Sequence, residues 1–398
     1  MIKVCLYSDR FFPIVGGTEL QAFRMARKLA AGGQIDFLVV TRRHESSWLE
    51  TEEIGGLMIH RLPPAGLGKW AELVFALTSM AFLWRTRKDF QILHFLLVSF
   101  PNSLVALGMK LAGKKVLVKI AGAGVLSRGN PLTRLIRNSI LRRMDAFLAT
   151  TEEIVREFRG AGFDSRRIHL IPNGVDTEHF CPVPENRKRE IRKDLKLPEA
   201  GKIILYSGRI SGEKGPHLLL EAWLGLAAGF PDLFLVIIGS GRLQERDVEA
   251  RMDQLLADPA ARNIRERVIR RGEVSDLAPF LKAADLFVLP SLQEGLSNAL
   301  LEAMAAGLPI VATSLPGTVE ALGEKGGAIL VAPGKVGELT RGLREMLSAP
   351  ERWPEAGRRN RKRAEEKFSL AEAARSYSEL YASLASSFPL SLEGRGKG

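Results

Sequence analysis

Two carboxylates in the second half of the chain have the types and spacing of a sugar-binding site. Glu294 and Glu302, with seven residues between them, lie in the run Pro290–Glu302, which directly follows the apolar segment LFVL. One carboxylate on a strand-to-helix loop and another on the following helix can both accept hydrogen bonds from the vicinal hydroxyls of a sugar or ribose. Ser297 or Asn298 is the expected helix cap, which would place free backbone N–H groups beside them.

A glycine-framed pair of cations precedes these carboxylates. The segment Gly208–Gly215 reads GRISGEKG and follows the first apolar run of the second half. Arg209 can bind a phosphate with two donors, and Lys214 adds a mobile point charge. Ligands of open α/β sheets bind beyond the carboxyl ends of strands, so the segment predicts a pyrophosphate site. The alternative is an exposed charged loop; a P-loop is excluded because GxxxxGK[ST] is absent.

Two further candidates lie in the first half. Gly16 and Gly17 follow the first apolar run and open a predicted helix, so their backbone could approach a phosphate, or could simply form a tight turn. The fingerprint GxGxxG is absent there, which argues against a nicotinamide enzyme. His94, at the end of the run QILH, is either a base near the site or a structural histidine.

Several classes of protein are excluded or disfavoured. The sequence contains no Asp-x-Asp, no HExxH and no histidine pair at ligand spacing, so metal-independent chemistry is expected. Cys5 and Cys181 do not form a CxxC pair, which indicates a reduced, cytosolic protein. The first residues lack the long apolar region of a signal peptide. The longest apolar stretch, Ala71–Trp84, is shorter than the roughly 20 residues that span a bilayer.

The order of apolar runs predicts the fold. Short aliphatic segments alternate with amphipathic helical segments through both halves, which is typical of parallel strands buried on both faces. We therefore expect two doubly wound α/β domains, residues 1–178 and 179–369. The segment between Asn173 and Gly201 mixes prolines with charges and is interpreted as the linker. A helix at about 370–387 is expected to pack back on the first domain, and 388–398 to be a disordered tail.

Positive charge is concentrated in the first half. The net charge is +12, and residues 1–180 hold 25 Lys and Arg against 16 Asp and Glu, or +9. Two helical segments, Trp70–Lys88 and Leu132–Arg143, combine apolar and basic residues. They indicate either peripheral contact with an anionic membrane or ordinary helices with one buried face. No nucleic-acid-binding module is recognisable.

Together the motifs resemble the family four retaining glycosyltransferases (glycosyl transferases group 1). That family has the GT-B fold, in which two Rossmann-like domains face each other across a cleft. The matching segments, in chain order, are the Gly16–Gly17 loop, IPNGVD (Ile171–Asp176), GRISGEKG (Gly208–Gly215), RGEV (Arg271–Val274), ADLFVLPS (Ala284–Ser291), EGLSNALLE (Glu294–Glu302) and AAGLPIVAT (Ala305–Thr313). The resemblance covers nearly the whole chain.

The resemblance implies a role for each motif. The match to Glu302 holds the ribose hydroxyls, and Arg209 with Lys214 neutralises the pyrophosphate. Other residues are implied to contact the donor sugar (Glu294, Gly295, Leu296, Ser297 and Asn298), the base (Glu273 and Val274) and the donor near the acceptor (Gly16 and Gly17). Many members place a histidine where this chain has Ala121, close to Lys119. With His94, these two residues are the acceptor-side candidates.

The resemblance implies a retaining, metal-independent glycosyltransferase without a cofactor. It would move a sugar from a UDP- or GDP-sugar to a glycan, lipid-linked or small-molecule acceptor in cell-envelope or exopolysaccharide synthesis. Leaving-group departure is driven mainly by positive charge on the pyrophosphate, so the missing histidine does not forbid transfer. Two alternatives remain: a non-catalytic nucleotide-sugar-binding scaffold, and a nucleotide-sugar 2-epimerase of the same architecture.

Overall fold

The computed structural model describes residues 1–13, 16–66, 68–241, 246–323 and 327–386. The chain divides into two compact units. The first is Met1–Pro172 together with the last helix, and the second is Asn173–Leu370. The tail expected at 388–398 lies outside the described residues.

In the first unit, the described strands form one eight-stranded sheet of order β3-β4-β2-β1-β5-β6-β7-β8. The strands are β1 Ile2–Tyr7, β2 Ile35–Arg42, β3 Thr51–Ile54, β4 Leu57–Leu62, β5 Ile92–Phe95, β6 Lys115–Ile120, β7 Ala146–Ala149 and β8 Ile168–Leu170. The helices are α1 Gly17–Ala30, α2 Lys69–Arg85, α3 Phe100–Leu111, α4 Pro131–Leu141 and α5 Glu152–Gly160. All strand pairs are parallel except β3 with β4. Strand β1 lies at the centre because its Val4–Tyr7 segment is fully buried.

The second unit contains a parallel sheet of order β11-β10-β9-β12-β13-β14. Its strands are β9 Lys202–Ser207, β10 Leu233–Ile238, β11 Val268–Arg270, β12 Leu286–Leu289, β13 Ile310–Thr313 and β14 Ala328–Val331. Its helices are α6 Glu185–Asp194, α7 Pro216–Ala227, α8 Arg246–Ala257, α9 Ala278–Ala283, α10 Asn298–Ala305, α11 Pro316–Leu322, α12 Val336–Ser348 and α13 Trp353–Lys367. Buried aliphatic residues pack on both faces of this sheet, as continuous apolar strands require.

The last helix, α14 (Leu370–Ser386), belongs to the core of the first unit. Its Tyr377, Tyr381 and Leu384 are buried among residues of β1 and β2. The ring of Tyr381 meets Phe37 edge-on at a centroid separation of 6.1 Å. The chain therefore contributes its last helix to the unit that holds its first strand.

The division between the units falls earlier than the sequence predicts, between Pro172 and Asn173 instead of after residue 178. Val175 and Phe180 are buried in the core of the second unit, and the Val175 N–H donates to the Phe368 carbonyl. The predicted linker is also not a free connection. It contains α6, whose Arg192 is buried and forms a 2.6 Å ion pair with Asp285.

Candidate functional site

The strand order of the second unit reverses between two adjacent strands. From β9 the chain proceeds outward through β10 to β11, and it then returns to the other side of β9 as β12. Such a reversal opens a crevice at the carboxyl ends of the strands, which is where open α/β sheets bind ligands. The loop after β9 holds Arg209 and Lys214, and the loop after β12 holds Glu294. The fold thus brings two predicted motifs to one edge of the sheet.

The backbone of the β9 loop requires glycine at a close crossing. Residues Gly212–Lys214 form a short 3-10 turn, and Gly215 follows with φ 65°. A Cβ at Gly215 would lie 2.4 Å from the Pro290 carbonyl oxygen at the end of β12. The Leu292 N–H donates to the Glu213 carbonyl at 2.7 Å. The two loops therefore hold each other in register.

The cations of this loop already have carboxylate partners. The Lys214 ammonium donates to Oε2 of Glu294 in an ion pair whose side chains are 21% and 10% exposed. The Arg209 guanidinium lies 3.5 Å from the Glu213 carboxylate and is more exposed, at 41%. The Lys214–Glu294 pair joins the predicted phosphate loop to the predicted sugar loop.

Helix α10 begins at Asn298, four residues after Glu294. The Ser297 side chain caps it by accepting a hydrogen bond from the Leu300 N–H, which settles the choice of cap between Ser297 and Asn298. Glu302 lies one helical turn further and is only 5% exposed. Gly295 is half-buried, and Leu296 is buried. A helix N-terminus and a buried carboxylate thus follow the Lys214–Glu294 pair.

Asn173 supports this loop. Its Nδ2 donates to the Leu296 carbonyl at 3.1 Å and to Oδ1 of Asn298 at 3.0 Å. Asn173 lies in the IPNGVD segment, for which the sequence predicts no role of this residue. A signal was present, because the Asn-Gly pair that follows β8 after two residues is a turn motif whose Asn side chain bonds backbone groups.

The base-side candidates lie at the end of β11. Glu273 is exposed and Val274 is half-buried against the core of the unit. The preceding Gly272 accepts a hydrogen bond from the Gly239 N–H at 2.7 Å, which ties this turn to the end of β10. Strands β10 and β9 separate these residues from β12, and all of these strands end at the same edge of the sheet.

In the first unit, the strand order also reverses beside β1, which pairs with β2 on one side and β5 on the other. Gly16 is the N-cap of α1 and accepts a hydrogen bond from the Leu20 N–H. Gly17 is exposed. The paired glycines therefore lie at a helix N-terminus near the carboxyl end of a central strand, as their position in the sequence predicts.

Two of the three acceptor-side candidates, His94 and Lys119, lie in the core of the first unit. His94 is fully buried, and its Nδ1 lies 2.7 Å from the Tyr381 hydroxyl. Lys119 is 3% exposed and donates to the Tyr377 hydroxyl at 3.2 Å. Both therefore pack against α14 and have no access to solvent. Ala121, directly after β6, is half-buried.

Burial changes the proton affinities of this pair. Desolvation, with a smaller contribution from the Lys119 charge, lowers the pKa of His94 to about 3, so its imidazole is neutral near pH 7. Desolvation also lowers the pKa of Lys119 to about 8, opposed by the negative charge of Glu19. A neutral, enclosed histidine is a core group, which favours the structural reading of His94. The sequence did not predict that Tyr377 and Tyr381 contact Lys119 and His94, because the two tyrosines lie far from them in the chain.

Two further features concern the residues that the structure describes. None of the helices in those ranges is long and apolar enough to cross a bilayer. The same ranges contain no group of three or more His, Cys, Asp or Glu side chains that could hold a metal ion.

Comparison with known families matches both units. Residues 187–366 match the model described as glycosyl transferases group 1, and residues 15–179 match the model described as glycosyltransferase family 4. The two matched segments do not overlap and together include most of the chain.

Individual proteins of similar sequence are also glycosyltransferases. A D-inositol 3-phosphate glycosyltransferase of Corynebacterium urealyticum is 30% identical over 50% of this chain and 47% of its own length. A GDP-mannose-dependent monoacylated alpha-(1-6)-phosphatidylinositol monomannoside mannosyltransferase of Corynebacterium glutamicum is 29% identical over 68% and 70%. The chain spans about half the length of the first of these curated relatives.

The fold itself is shared with a solved enzyme. The sucrose-phosphate synthase of Thermosynechococcus elongatus superposes with a TM-score of 0.83 at 21% identity, over 97% of this chain and 100% of that one. Two Rossmann-like units, the reversal of strand order in each, and the two family matches lead to one assignment. The chain belongs to the group 1, family 4 glycosyltransferases and has the GT-B fold.

Proposed function

We propose that the protein is a retaining, metal-independent glycosyltransferase that uses a nucleotide diphosphate sugar. The observation that carries the proposal is the Lys214–Glu294 ion pair at the reversal of strand order, with Arg209 on one loop and buried Glu302 behind the other. Cations suit a diphosphate and carboxylates suit sugar hydroxyls, so this edge of the sheet fits a donor that contains both.

In the proposed reaction, the bond between the anomeric carbon and the diphosphate oxygen breaks, and its electron pair leaves with the diphosphate. Arg209 and Lys214 stabilise the negative charge that develops there. The acceptor hydroxyl oxygen bonds to the anomeric carbon from the same face, and its proton passes to the departing phosphate. Glu294, with Gly295 to Asn298, would orient the sugar, and Glu302 would hold the ribose.

The remaining assignments concern the base, the acceptor and the cell. Glu273 and Val274 are proposed to contact the base, and Gly16 and Gly17 the donor near the acceptor. The donor is proposed to be a UDP- or GDP-sugar, and no cofactor is required. A glycan, lipid-linked or small-molecule acceptor is proposed in cell-envelope or exopolysaccharide synthesis, on the cytoplasmic side. The mannosyltransferase relative carries a phosphatidylinositol substrate in its name, which supports a lipid-linked acceptor.

The first experiment compares UDP-, GDP- and ADP-sugars by thermal shift and then measures transfer with the donor that binds. The Arg209→Ala/Lys214→Ala double variant is expected to lose at least about a thousandfold in turnover, since one missing charge-stabilising donor costs roughly 10²–10³. The matched control, Arg358→Ala/Lys362→Ala, removes two exposed cations of α13 and should transfer normally. Unchanged turnover in the first double variant would contradict the proposed chemistry.

The same assay separates the alternatives. Donor binding without product across a broad acceptor panel would indicate a binding scaffold. Conversion of one nucleotide sugar into its epimer in the absence of acceptor would indicate a 2-epimerase.

A further inference from the structure

Helix α2 is apolar on the face that it turns to solvent as well as on the face that it buries. Phe75 and Leu83 pack into the core of the first unit. A second apolar stripe lies outside, at positions i, i+3, i+4, i+7, i+11 and i+14. Its members are Trp70, Leu73, Val74, Leu77, Ala81 and Trp84. Trp70, Leu77 and Trp84 are 81%, 64% and 51% exposed. A surface helix normally carries polar residues on its outer face, so this stripe indicates a binding surface.

Helix α4 repeats the arrangement. Leu132, Leu135 and Ile136 form an outer i, i+3, i+4 stripe, and the first two are 64% and 62% exposed. The charged Arg137 is instead turned inward, where its guanidinium donates to the Val125 and Leu126 carbonyls at 3.0 and 2.8 Å. The helix buries a charged residue and exposes apolar ones. A shortage of polar residues in α4 therefore does not explain the exposed leucines.

The two stripes lie on the same side of the sheet. Helix α3 packs between α2 and α4 and contacts both. The inner faces of all three helices bury residues in one core cluster, including Phe75, Met109 and Leu141. Their outer faces therefore point away from the same face of the sheet. On α3 this surface also exposes Leu104 at 43% and Leu111 at 81%. We call the outer surface of these three helices the α2–α4 face.

Positive charge predominates around this face, although exposed Glu72 lies on α2 and exposed Asp89 follows it. Residues 101–144 contain nine Lys and Arg and no Asp or Glu, and all of these cations except Lys119 and Arg137 lie outside the core. Beside the α4 stripe, an open groove of about 530 Å³ is lined by Arg134, Asn138 and Arg142 together with the Gly160–Gly162 turn. At the other end, Arg87 stacks over the Trp84 ring at 4.9 Å. Apolar side chains flanked by cations match a surface that is apolar inside and anionic at its rim.

We infer that the α2–α4 face docks on an anionic lipid bilayer, with the two stripes entering the acyl boundary and the surrounding cations binding headgroup phosphates. Exposed tryptophans suit that boundary, because their rings are partly apolar and partly polar. A second copy of the chain is disfavoured as the occupant, since pairing two such faces would bring cations of like sign together. This docking does not depend on which donor the second unit binds.

The test is co-sedimentation of the full chain with vesicles of phosphatidylcholine alone and of phosphatidylcholine with phosphatidylglycerol, at low and high salt. We expect binding to the anionic vesicles that weakens with salt, and little binding to the neutral ones. Two double variants, Trp70→Ser/Leu77→Ser and Leu132→Ser/Leu135→Ser, are each expected to reduce vesicle binding at least roughly tenfold. Leu49→Ser is the matched control, because Leu49 is 63% exposed but lies outside the three helices.

Three outcomes would overturn the proposal. They are equal binding by the stripe variants and the wild type, equal loss in Leu49→Ser, or a wild-type dimer in sedimentation that the stripe variants convert to monomer without any vesicle binding. Circular dichroism shows whether each variant is folded. The donor thermal shift is measured in parallel and should be unchanged in the stripe variants. A failure of vesicle binding therefore leaves the transferase proposal intact, and the reverse also holds.

Discussion

At the scale of single residues, the close contact of the Gly215 backbone with the Pro290 carbonyl predicts that the site requires glycine at position 215. An alanine there would be held at φ 65° with its Cβ 2.4 Å from a carbonyl oxygen. The positive φ alone costs about 1–2 kcal/mol, and relief of the contact must move the Glu294 loop. We expect Gly215→Ala to weaken donor binding in calorimetry and to lower the thermal midpoint. Gly212→Ala is the control, because a Cβ there meets nothing within 4 Å. Equal behaviour of the two variants would contradict this account.

Sequence alone predicted which candidate residues the fold brings together, and their roles stay predictions. Arg209, Lys214, Glu294 and Glu302 were identified by type, by spacing and by their place after apolar runs, and the sheet brings their loops to one edge. The ion pair between Lys214 and Glu294 was not readable, since it depends on which strands become neighbours. His94 and the other acceptor-side candidates were harder still, because their environment is set by a helix almost three hundred residues away in the chain.

At the scale of elements, α14 packs on the sheet of the first unit, and a single substitution can test how much it stabilises that sheet. Tyr381 is fully buried, contacts Phe37 and hydrogen-bonds His94. Truncation to alanine leaves a cavity and an unpaired imidazole nitrogen, which together cost about 3–5 kcal/mol. We expect Tyr381→Ala to accelerate hydrogen exchange in peptides of β1 and β5. Glu379→Ala, an exposed position of the same helix, should leave exchange unchanged. Slow exchange in both variants would show that α14 does not stabilise this sheet.

Most strands predicted from sequence are buried along most of their length, although the partly exposed β8 and β14 were predicted as well. The three strands that were missed, β3, β4 and β11, are all partly exposed. The eleven continuous apolar runs, from Ile2–Tyr7 to Ala328–Val331, all correspond to strands of the structure. The antiparallel pair β3–β4 has an alternating pattern with charged residues, among them the buried Arg61, whose ion pair with Glu52 measures 2.7 Å. Strand β11 has only three residues. A search for continuous apolar runs does not detect edges of this kind.

At the scale of the whole molecule, the net charge of +12 is unevenly distributed and grows as the pH falls. Two groups whose burial strongly lowers their pKa lie in the same basic unit. His94 and Lys119 pack against one helix, and the pKa of each is lowered. Acid therefore acts on the first unit both through self-repulsion of its cations and through a histidine that can gain a proton only when the unit opens.

That arrangement predicts how the stability of the first unit depends on pH. The unfolded chain binds a proton at His94 below about pH 6.5, whereas the folded unit does not until about pH 3. Between these values the unfolded state holds more protons, so the stabilisation is complete above pH 6.5 and is lost as the pH falls, by up to about 1.4 kcal/mol per pH unit. His94→Gln cannot titrate. The advantage of the wild type over this variant should shrink by about 2 kcal/mol between pH 6.5 and 5.

Peptide-resolved hydrogen exchange of β5 and β6 at the two pH values measures this difference within the first unit, so the second unit does not contribute. Both proteins carry the same charges apart from His94, so general acid destabilisation cancels between them. The difference in stability that remains comes from the titration of His94 alone. Lys119 supplies an independent check above neutrality. Its folded pKa of about 8 means that stability should rise with pH between 8 and 10.5, and Lys119→Met should remove that rise. Parallel pH curves for the wild type and His94→Gln would mean that the imidazole is protonated equally in both states, and that α14 does not enclose it.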